Sequence, residues 1–297
     1  MNLSAQVILI TGASAGIGAA LALSLAESFP GIRLILAARN RDKLDDIASK
    51  CRQYEAEVLV VPTDLSQGEQ IQALAQIAQD KFSRVDALVN NAGYGQMGPL
   101  ELLSLEDGKA QFAVNFHGAL ALTQALIPLM REQGGGKIIN ISSIGGRIPF
   151  PAGGLYSASK FALEAASDVL RMELAAFGIK VSVIEFGPVA TEFFAVAKAK
   201  ARVSIPDGEK TIYQPALAKL AQIEQQTASL CWSAQRAAQE IVKVLSSKNP
   251  KPRYIAATGG TTLIFLMTKV LPTWAVDLFW KRFYGIDLVA QKWRQDK

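Results

Sequence analysis

The sequence predicts an α/β fold in which helices wind onto both faces of a parallel sheet. Two observations predict it. Short β-branched apolar runs alternate with longer segments of helical period, and the first run opens directly into a glycine-rich turn. The chain has 297 residues, 50% of them hydrophobic and 19% charged, which is enough apolar material for a large core. Buried strands are expected at Val7–Thr11, Leu34–Ala37, Val58–Val61, Ala87–Val89, Lys137–Ser142 and Lys180–Phe186, because continuous apolar runs of this length suit a sheet covered on both faces. Between them, segments 16–29, 70–82 and 161–177 carry apolar residues at i, i+3, i+4 and i+7 and predict amphipathic helices.

After Phe186 the alternation stops. Gly187, Pro188, Pro206, Asp207, Gly208 and Pro215 punctuate a stretch of mixed apolar and charged residues, read as a mobile excursion over the sheet and, at about 188–230, as the substrate loop. A helix at Ala234–Leu245 and a short strand at Arg253–Ala257 complete the winding. With no repeat, linker or low-complexity tract, residues 1–260 are read as one unit and 261–297 as a helical C-terminal extension.

Composition excludes several function classes. The net charge of +5 is spread along the chain without a basic block interleaved with aromatics, which argues against a nucleic-acid partner. Cys51 and Cys231 are the two cysteines; they make neither a disulfide framework nor a metal cluster, so no metal is expected and a reducing, cytoplasmic compartment is the simpler reading. The N-terminal segment lacks the basic start of a signal peptide. Mean hydropathy is high at +0.20, yet the most apolar stretch, Thr261–Trp280, is interrupted by Lys269, Pro272 and Asp277 and is too broken to span a bilayer.

The run Val7–Thr11 leads into Gly12, Gly16 and Gly18, placed where a strand turns sharply into a helix. Without a Cβ, glycine lets a pyrophosphate approach the amides at the helix N-terminus, where the dipole favours negative charge. This is the phosphate-binding context of a Rossmann-type sheet, with ligands at the carboxyl ends of the strands. Such folds place an acidic residue after the second strand to hold the ribose hydroxyls. Here Arg39 stands at that point, and a guanidinium suits a 2′-phosphate, so NADP(H) is favoured with NAD(H) as the alternative. Arg41 reads as a solvated side chain. Further on, Tyr156 and Lys160 lie four residues apart at the start of a helical run and share one face. An ammonium beside a phenol stabilises the phenolate, which makes the pair a proton donor and acceptor for a hydroxyl or ketone.

The segments TGASAGIG (11–18), NNAG (90–93), VNFHG (114–118), ISS (141–143), YSASK (156–160) and FGPVAT (186–191) occur in an order and spacing that resemble the short-chain dehydrogenase/reductase family over approximately residues 5–257. The resemblance implies that Tyr156 is the catalytic acid/base, that Lys160 lowers its pKa and holds the nicotinamide ribose, and that Ser143 polarises the substrate carbonyl. Ser142 is the alternative if the register is off by one, but the thirteen-residue spacing to Tyr156 favours Ser143. Asn115 would anchor a water-mediated proton relay through Lys160. Gly12, Gly16 and Gly18 would cradle the pyrophosphate, Ser14 and Ile17 would also bind the cofactor, Asp64 would hold the adenine, and Asn91, Ala92 and Gly93 would line the cofactor. Thr191, with the Pro188–Val189 backbone, would meet the carboxamide. Read without the resemblance, Ser143 can cap a turn before Gly145, Asp64 can cap a helix, and Asn115 can satisfy buried backbone groups. The sole histidine, His117, two residues after Asn115, is expected to face elsewhere.

The stretch after the sixth strand offers Phe193, Phe194, Val196 and Ile205 and no arginine cluster, so a small hydrophobic ketone or alcohol is the expected substrate. Segment 147–154 is expected to wall the entrance. GPLELL (98–103), YSASKFALE and FGPVATEF are similar to the hydroxysteroid (estradiol 17-beta-like) and retinol dehydrogenase branch, which also holds 3-ketosphinganine reductases. The implied function is hydride transfer between NADP(H) and a steroid-, retinoid- or keto-lipid-like ketone or secondary alcohol. Two alternatives are a catalytically silent dinucleotide-binding sensor and a membrane-associated lipid-handling protein. The extension from Thr261 alternates apolar clusters with Lys269, Lys281, Arg282, Lys292 and Arg294. It suits a peripheral membrane contact, a cover for the substrate pocket, or a subunit contact. The resemblance also implies a homodimer through helices within 114–130 and 161–174.

Overall fold

A computed structural model describes residues 2–295, so Met1, Asp296 and Lys297, the ends of the two units read from the sequence, lie outside the described residues. The first part alternates β1 (Val7–Thr11), α1 (Gly16–Ser28), β2 (Arg33–Ala38), α2 (Arg41–Arg52), β3 (Glu57–Pro62), α3 (Gly68–Phe82) and β4 (Ala87–Asn90). A long helix follows, made of α4 (Leu105–Phe112), a π-helical turn (Ala113–Gly118) and α5 (Ala119–Glu132). Then come β5 (Gly136–Ser143), α6 (Gly154–Glu173), β6 (Ile179–Phe186), β7 (Val189–Ala190), α7 (Phe193–Ser204), α8 (Gln214–Gln226) and β8 (Trp232–Ser233). The chain closes with α9 (Ala234–Ser246), β9 (Arg253–Ala256), α10 (Gly260–Phe265), a second π turn (Leu266–Val270), α11 (Thr273–Phe283) and α12 (Ile286–Gln295).

Seven strands form one parallel sheet in the order β3-β2-β1-β4-β5-β6-β9, the doubly wound Rossmann-type arrangement expected from the sequence. The order reverses between β1 and β4, which opens a crevice at their carboxyl ends. Alternation along β1 builds both core layers. Ile8 and Ile10 pack with Leu21 and Leu25 of α1 and Ile241 of α9 on one face. Val7 and Leu9 pack with Leu74 of α3 and Leu122 and Leu126 of α5 on the other. Each fully buried aliphatic side chain contributes about 1.5–3 kcal/mol, so a one-residue slip in register would reverse a large stabilisation. The polar exception is ordered: Asn90 and Asn140 stand opposite each other on β4 and β5, the Asn90 amide donates to Asn140 Oδ1 at 2.8 Å, and Asn140 donates to Ser167 Oγ at 2.8 Å.

Three features depart from the sequence reading. First, β3 is an edge of the sheet and only half-buried, where a fully buried strand is expected; β9 forms the other edge. Second, the segment after β6 is mainly helical: α7 and α8 are separated by a break at Pro206–Gly208, Pro215 sits in the first turn of α8, and β7 pairs with β8 through Val189↔Trp232 and Ala190↔Ser233. The prolines and glycine there punctuate two helices instead of marking one long loop. Third, the helix from Leu105 to Glu132 is 28 residues long and apolar enough by length and composition to cross a membrane. In the fold it is a flanking helix, with Asn115, Leu122, Leu126 and Met130 buried and α3 and α6 beside it.

Candidate active site

The turn after β1 is shaped by glycine where no other residue fits. Gly12 (φ +67°) and Gly16 (φ +54°) adopt left-handed backbone angles. At Gly18 a Cβ would lie 2.3 Å from the Gly12 carbonyl oxygen and 2.7 Å from Asn91 Nδ2. Asn91 ties this turn to the end of β4: its amide donates to the Thr11 carbonyl at 2.9 Å, and the Asn91 and Ala92 backbone N–H groups donate to Thr11 Oγ1 at 3.0 and 3.1 Å. A Cβ at Gly16 would meet Thr191 Cγ2 at 3.2 Å, so the segment after β6 closes over the same turn.

Ser143 ends β5, and α6 brings Tyr156 and Lys160 beneath it. A Cβ on Gly145 would lie 3.4 Å from both Ser143 Oγ and Tyr156 Cε1, so the serine and the phenol flank one small residue. Ser143 also accepts a hydrogen bond from the Gly145 N–H at 3.0 Å and therefore caps its turn as well as facing the tyrosine. Ser142 is buried, points the other way under Gly146, and its hydroxyl has no hydrogen-bond partner among the described residues. Adjacent residues of a strand face opposite sides, so of the two hydroxyls it is Ser143 Oγ that stands beside the Tyr156 ring, although both residues line the cavity.

Burial raises the Tyr156 phenol above its usual range, with the Ser143 hydrogen bond pulling the other way. The sequence reading expects Lys160 to lower it. Here the Lys160 Nζ lies 6.0 Å from the centre of the phenol ring and donates to the Ile141 carbonyl at 2.8 Å, and desolvation dominates. Lys160 is itself pushed down to about 8 by burial, opposed by the Glu164 carboxylate one turn later. Asn115 sits in the π turn. Its Oδ1 accepts from the Tyr94 N–H at 3.1 Å and its Nδ2 donates to the Tyr94 carbonyl at 2.9 Å and to Ser159 Oγ at 3.2 Å. It thus satisfies buried backbone, as one alternative holds, and a Cβ at Gly93 would lie between its Oδ1 (3.2 Å) and Lys160 Nζ (3.6 Å).

Behind this group runs a buried charge network that the sequence did not reveal. Arg253 of β9 donates to Glu164 at 2.8 Å and Asp168 at 3.0 Å and pairs with Glu185 of β6 at 2.9 Å, while Arg147 pairs with Glu185 at 2.9 Å. Glu185 is fully buried, and its carboxyl is raised by burial and by Glu164 against the two arginines. These residues are far apart in sequence and individually ordinary, so only the packing of β6, β9 and α6 brings them together.

A cavity of ≈ 1010 Å³ opens over the carboxyl ends of the strands. Of the predicted residues it is lined by Gly12, Gly16, Ile17, Asn91, Ala92, Gly93, Ser143 with its alternative Ser142, Tyr156, Lys160, Pro188, Val189 and Thr191. Ser14, Gly18, Arg39, Asp64 and Asn115 lie outside its lining. Gly18 is packed beneath the turn, and Asn115 is buried behind Gly93. Arg39 is exposed just beyond β2, and Asp64, just beyond β3, accepts from the Ser66 N–H and hydroxyl at 2.9 and 2.8 Å while Gln67 takes the N-cap of α3. Arg41 pairs with Asp45 on the surface, and His117 is exposed. The expected apolar wall is present: Ile148 and Phe150 come from segment 147–154, and Phe193, Phe194, Val196 and Ile205 from α7 and its end. Sequence reasoning missed Tyr94, Met97, Leu217 and Leu220, whose only signal is ordinary apolar spacing. The C-terminal Leu263, Phe279, Trp280, Phe283 and Tyr284 also line the cavity, so the extension does cover the pocket, one of its three readings.

The cradle fits a dinucleotide: left-handed glycines, a helix N-terminus at Gly16 and a floor of small residues at 91–93 leave the room that a pyrophosphate and nicotinamide need. Comparison with known proteins agrees. The short chain dehydrogenase family profile matches residues 6–202. An uncharacterized oxidoreductase of Escherichia coli, YbbO, is 34% identical over 271 residues, covering 91% of this chain and 92% of its own. A short-chain dehydrogenase/reductase from Burkholderia phymatum, solved in complex with NAD, superposes with a TM-score of 0.79 at 28% identity, over 90% of this chain and 94% of that one. A metagenomic short-chain oxidoreductase in complex with NADP superposes with a TM-score of 0.68 at 28% identity, over 86% and 97%. On the sheet order, the glycine turn and these matches, the chain belongs to the short-chain dehydrogenase family and is an NAD(P)-dependent oxidoreductase.

Proposed function

We propose that the protein is an NADP(H)-dependent reductase or dehydrogenase of a hydrophobic ketone or secondary alcohol. The observation that carries this reading is the meeting of Ser143, Tyr156 and Lys160 at the floor of a cavity whose upper walls are Phe150, Phe193, Phe283 and Trp280. The nicotinamide supplies or accepts the hydride when bound. Tyr156 transfers the proton to or from the substrate oxygen, Ser143 donates a hydrogen bond to that oxygen, and Lys160 orients the ribose and carries positive charge beside the phenol. Asn115, which holds the Tyr94 backbone, is assigned to anchor a water-mediated proton relay through Lys160.

For the cofactor, Gly12, Gly16 and Gly18 are assigned to the pyrophosphate, Ser14 and Ile17 to the cofactor beside them, Asp64 to the adenine, Asn91, Ala92 and Gly93 to the lining of the cofactor, and Pro188, Val189 and Thr191 to the carboxamide. Arg39, exposed beyond β2, supports a 2′-phosphate and hence NADP(H) over NAD(H). The aromatic cavity supports a steroid-, retinoid- or keto-lipid-sized substrate, in line with the hydroxysteroid and retinol branch. Residues 1–260 then form the catalytic unit, with the extension as its cover. The exposed Phe161, Val169 and Met172, which share one face of α6, support a homodimer through that helix. Oxidation of NADPH and NADH against a panel of steroid, retinoid, 3-keto-lipid and small aromatic carbonyls tests the reading. NADPH-dependent turnover of apolar carbonyls is expected; cofactor binding without turnover of any member would favour the silent sensor.

A further inference from the structure

We propose that α11 and the turn before it seat the protein on an anionic lipid surface, and that this surface adjoins the mouth of the cavity. The inward face of the segment is spoken for: Val276 and Trp280 pack with Ile148, Ile264 and Met267, so the helix is fixed to the catalytic unit. The outward face is not. Phe265 is 61% exposed, Val270 54%, Trp274 70% and Leu278 45%, a density of large apolar side chains that a solvated helix does not carry.

Trp274, Ala275, Leu278, Phe279, Arg282 and Phe283 line one surface cleft. Phe279 and Phe283 line the inner cavity as well. The outer apolar patch and the chamber above Tyr156 are therefore separated by the thickness of two phenylalanine side chains.

Charge identifies the occupant. The segment from Thr261 to Phe283 carries Lys269, Lys281 and Arg282 against Asp277 alone, and the Lys281–Asp277 pair is loose at 4.0 Å. Apolar side chains with a tryptophan, edged by cations, match the acyl–headgroup boundary of a bilayer containing anionic lipid. A two-fold contact between copies through this face would set Lys269, Lys281 and Arg282 against their own equivalents, which disfavours a second chain. The entry of substrate by this route rests on the cavity being the substrate site, as proposed above; the docking does not.

The test is co-sedimentation of the full chain with vesicles of equal parts phosphatidylcholine and phosphatidylglycerol, and with pure phosphatidylcholine. The parent protein is expected to pellet with the mixed vesicles at low salt and to be released at high salt. Trp274→Ala with Leu278→Ala, and separately Lys281→Gln with Arg282→Gln, are each expected to weaken partitioning by about tenfold. Both double variants should keep the parent's melting temperature and its turnover of a small water-soluble carbonyl, because none of the four residues lines the inner cavity. A parent that stays in the supernatant with both vesicle types overturns the proposal, as do variants that pellet like the parent. Loss of self-association in the Trp274/Leu278 variant without vesicle binding by the parent overturns it in favour of a contact between copies. Pelleting by a parent that turns over no carbonyl upholds the docking and removes the catalytic reading.

Discussion

The Lys160 ammonium stands 6.0 Å from the centre of the Tyr156 ring, one turn along the same helix, yet its 2.8 Å hydrogen bond goes to the Ile141 carbonyl on the neighbouring strand. That bond fixes the charge at a set distance from the phenol and leaves the face of Tyr156 toward Ser143 open to a substrate oxygen. Burial acts on the two partners in opposite senses, raising the phenol and lowering the ammonium, because it disfavours the charged form of each.

That cost has a pH signature. Lys160 falls from 10.5 in the unfolded chain to about 8 in the fold. Below about pH 8 it is charged in both states and burial of the charge opposes folding; as pH rises from about 8 to 10.5 the folded chain gives up its proton first, and stability increases. Lys160→Met lacks this term. Denaturant unfolding from pH 7 to 10.5 should show the parent gaining on the variant by something on the order of 3 kcal/mol; parallel pH profiles for the two proteins would contradict it.

Glu164 is the carboxylate whose charge favours the Lys160 ammonium, and its Oε2 accepts both Arg253 hydrogen bonds, from Nε at 3.0 Å and from Nη2 at 2.8 Å. Glu164→Gln keeps an acceptor for Arg253 and removes the charge. The alkaline limb of the pH–rate profile, where Lys160 deprotonates, should move down by about one unit. A merely structural role would instead lower the rate evenly at all pH values.

At Gly18 even one methyl group is too large. The 2.3 Å approach to the Gly12 carbonyl predicts that Gly18→Ala distorts the turn, with a stability loss of about 1–3 kcal/mol and at least a roughly tenfold weaker NADPH affinity by fluorescence titration. Parent-like affinity would show that the turn does not hold the pyrophosphate.

Arg39 stands exposed beyond β2, free of any close carboxylate partner among the described residues. Arg39→Asp replaces a donor fork with an acceptor suited to ribose hydroxyls, so the NADPH/NADH ratio of kcat/KM should fall by about tenfold or more. An unchanged ratio would remove Arg39 from cofactor selection.

The strands and the Tyr156–Lys160 pair were legible in the sequence because both have a short fixed period: apolar runs for a buried sheet, four residues for one helix face. The thirteen-residue spacing to Tyr156 favours Ser143 over Ser142 in the sequence, and the pleat of β5, which sends neighbours to opposite sides, agrees with it. α7 and α8 were hidden by Pro206, Gly208 and Pro215, residues that start and stop helices as readily as they make loops. The network through Arg147, Glu164, Glu185 and Arg253 left no trace in the sequence, since its members meet only across β6, β9 and α6. The extension's amphipathic pattern was visible, but which face turns inward depended on Ile148 and Ile264 being there to receive Val276 and Trp280.

The central claim is that Tyr156 moves the proton in an NADP(H)-dependent reaction of an apolar carbonyl. Tyr156→Phe removes one oxygen atom from the floor of the cavity and leaves the glycine turn, Asn91 and Thr191 untouched. NADPH oxidation by the parent and this variant, against the same carbonyl panel and with NADPH binding measured in parallel, is the direct test. Turnover is expected in the parent, with a loss of at least about a thousandfold in kcat in the variant and equal NADPH affinity in both. Turnover retained by Tyr156→Phe would contradict it.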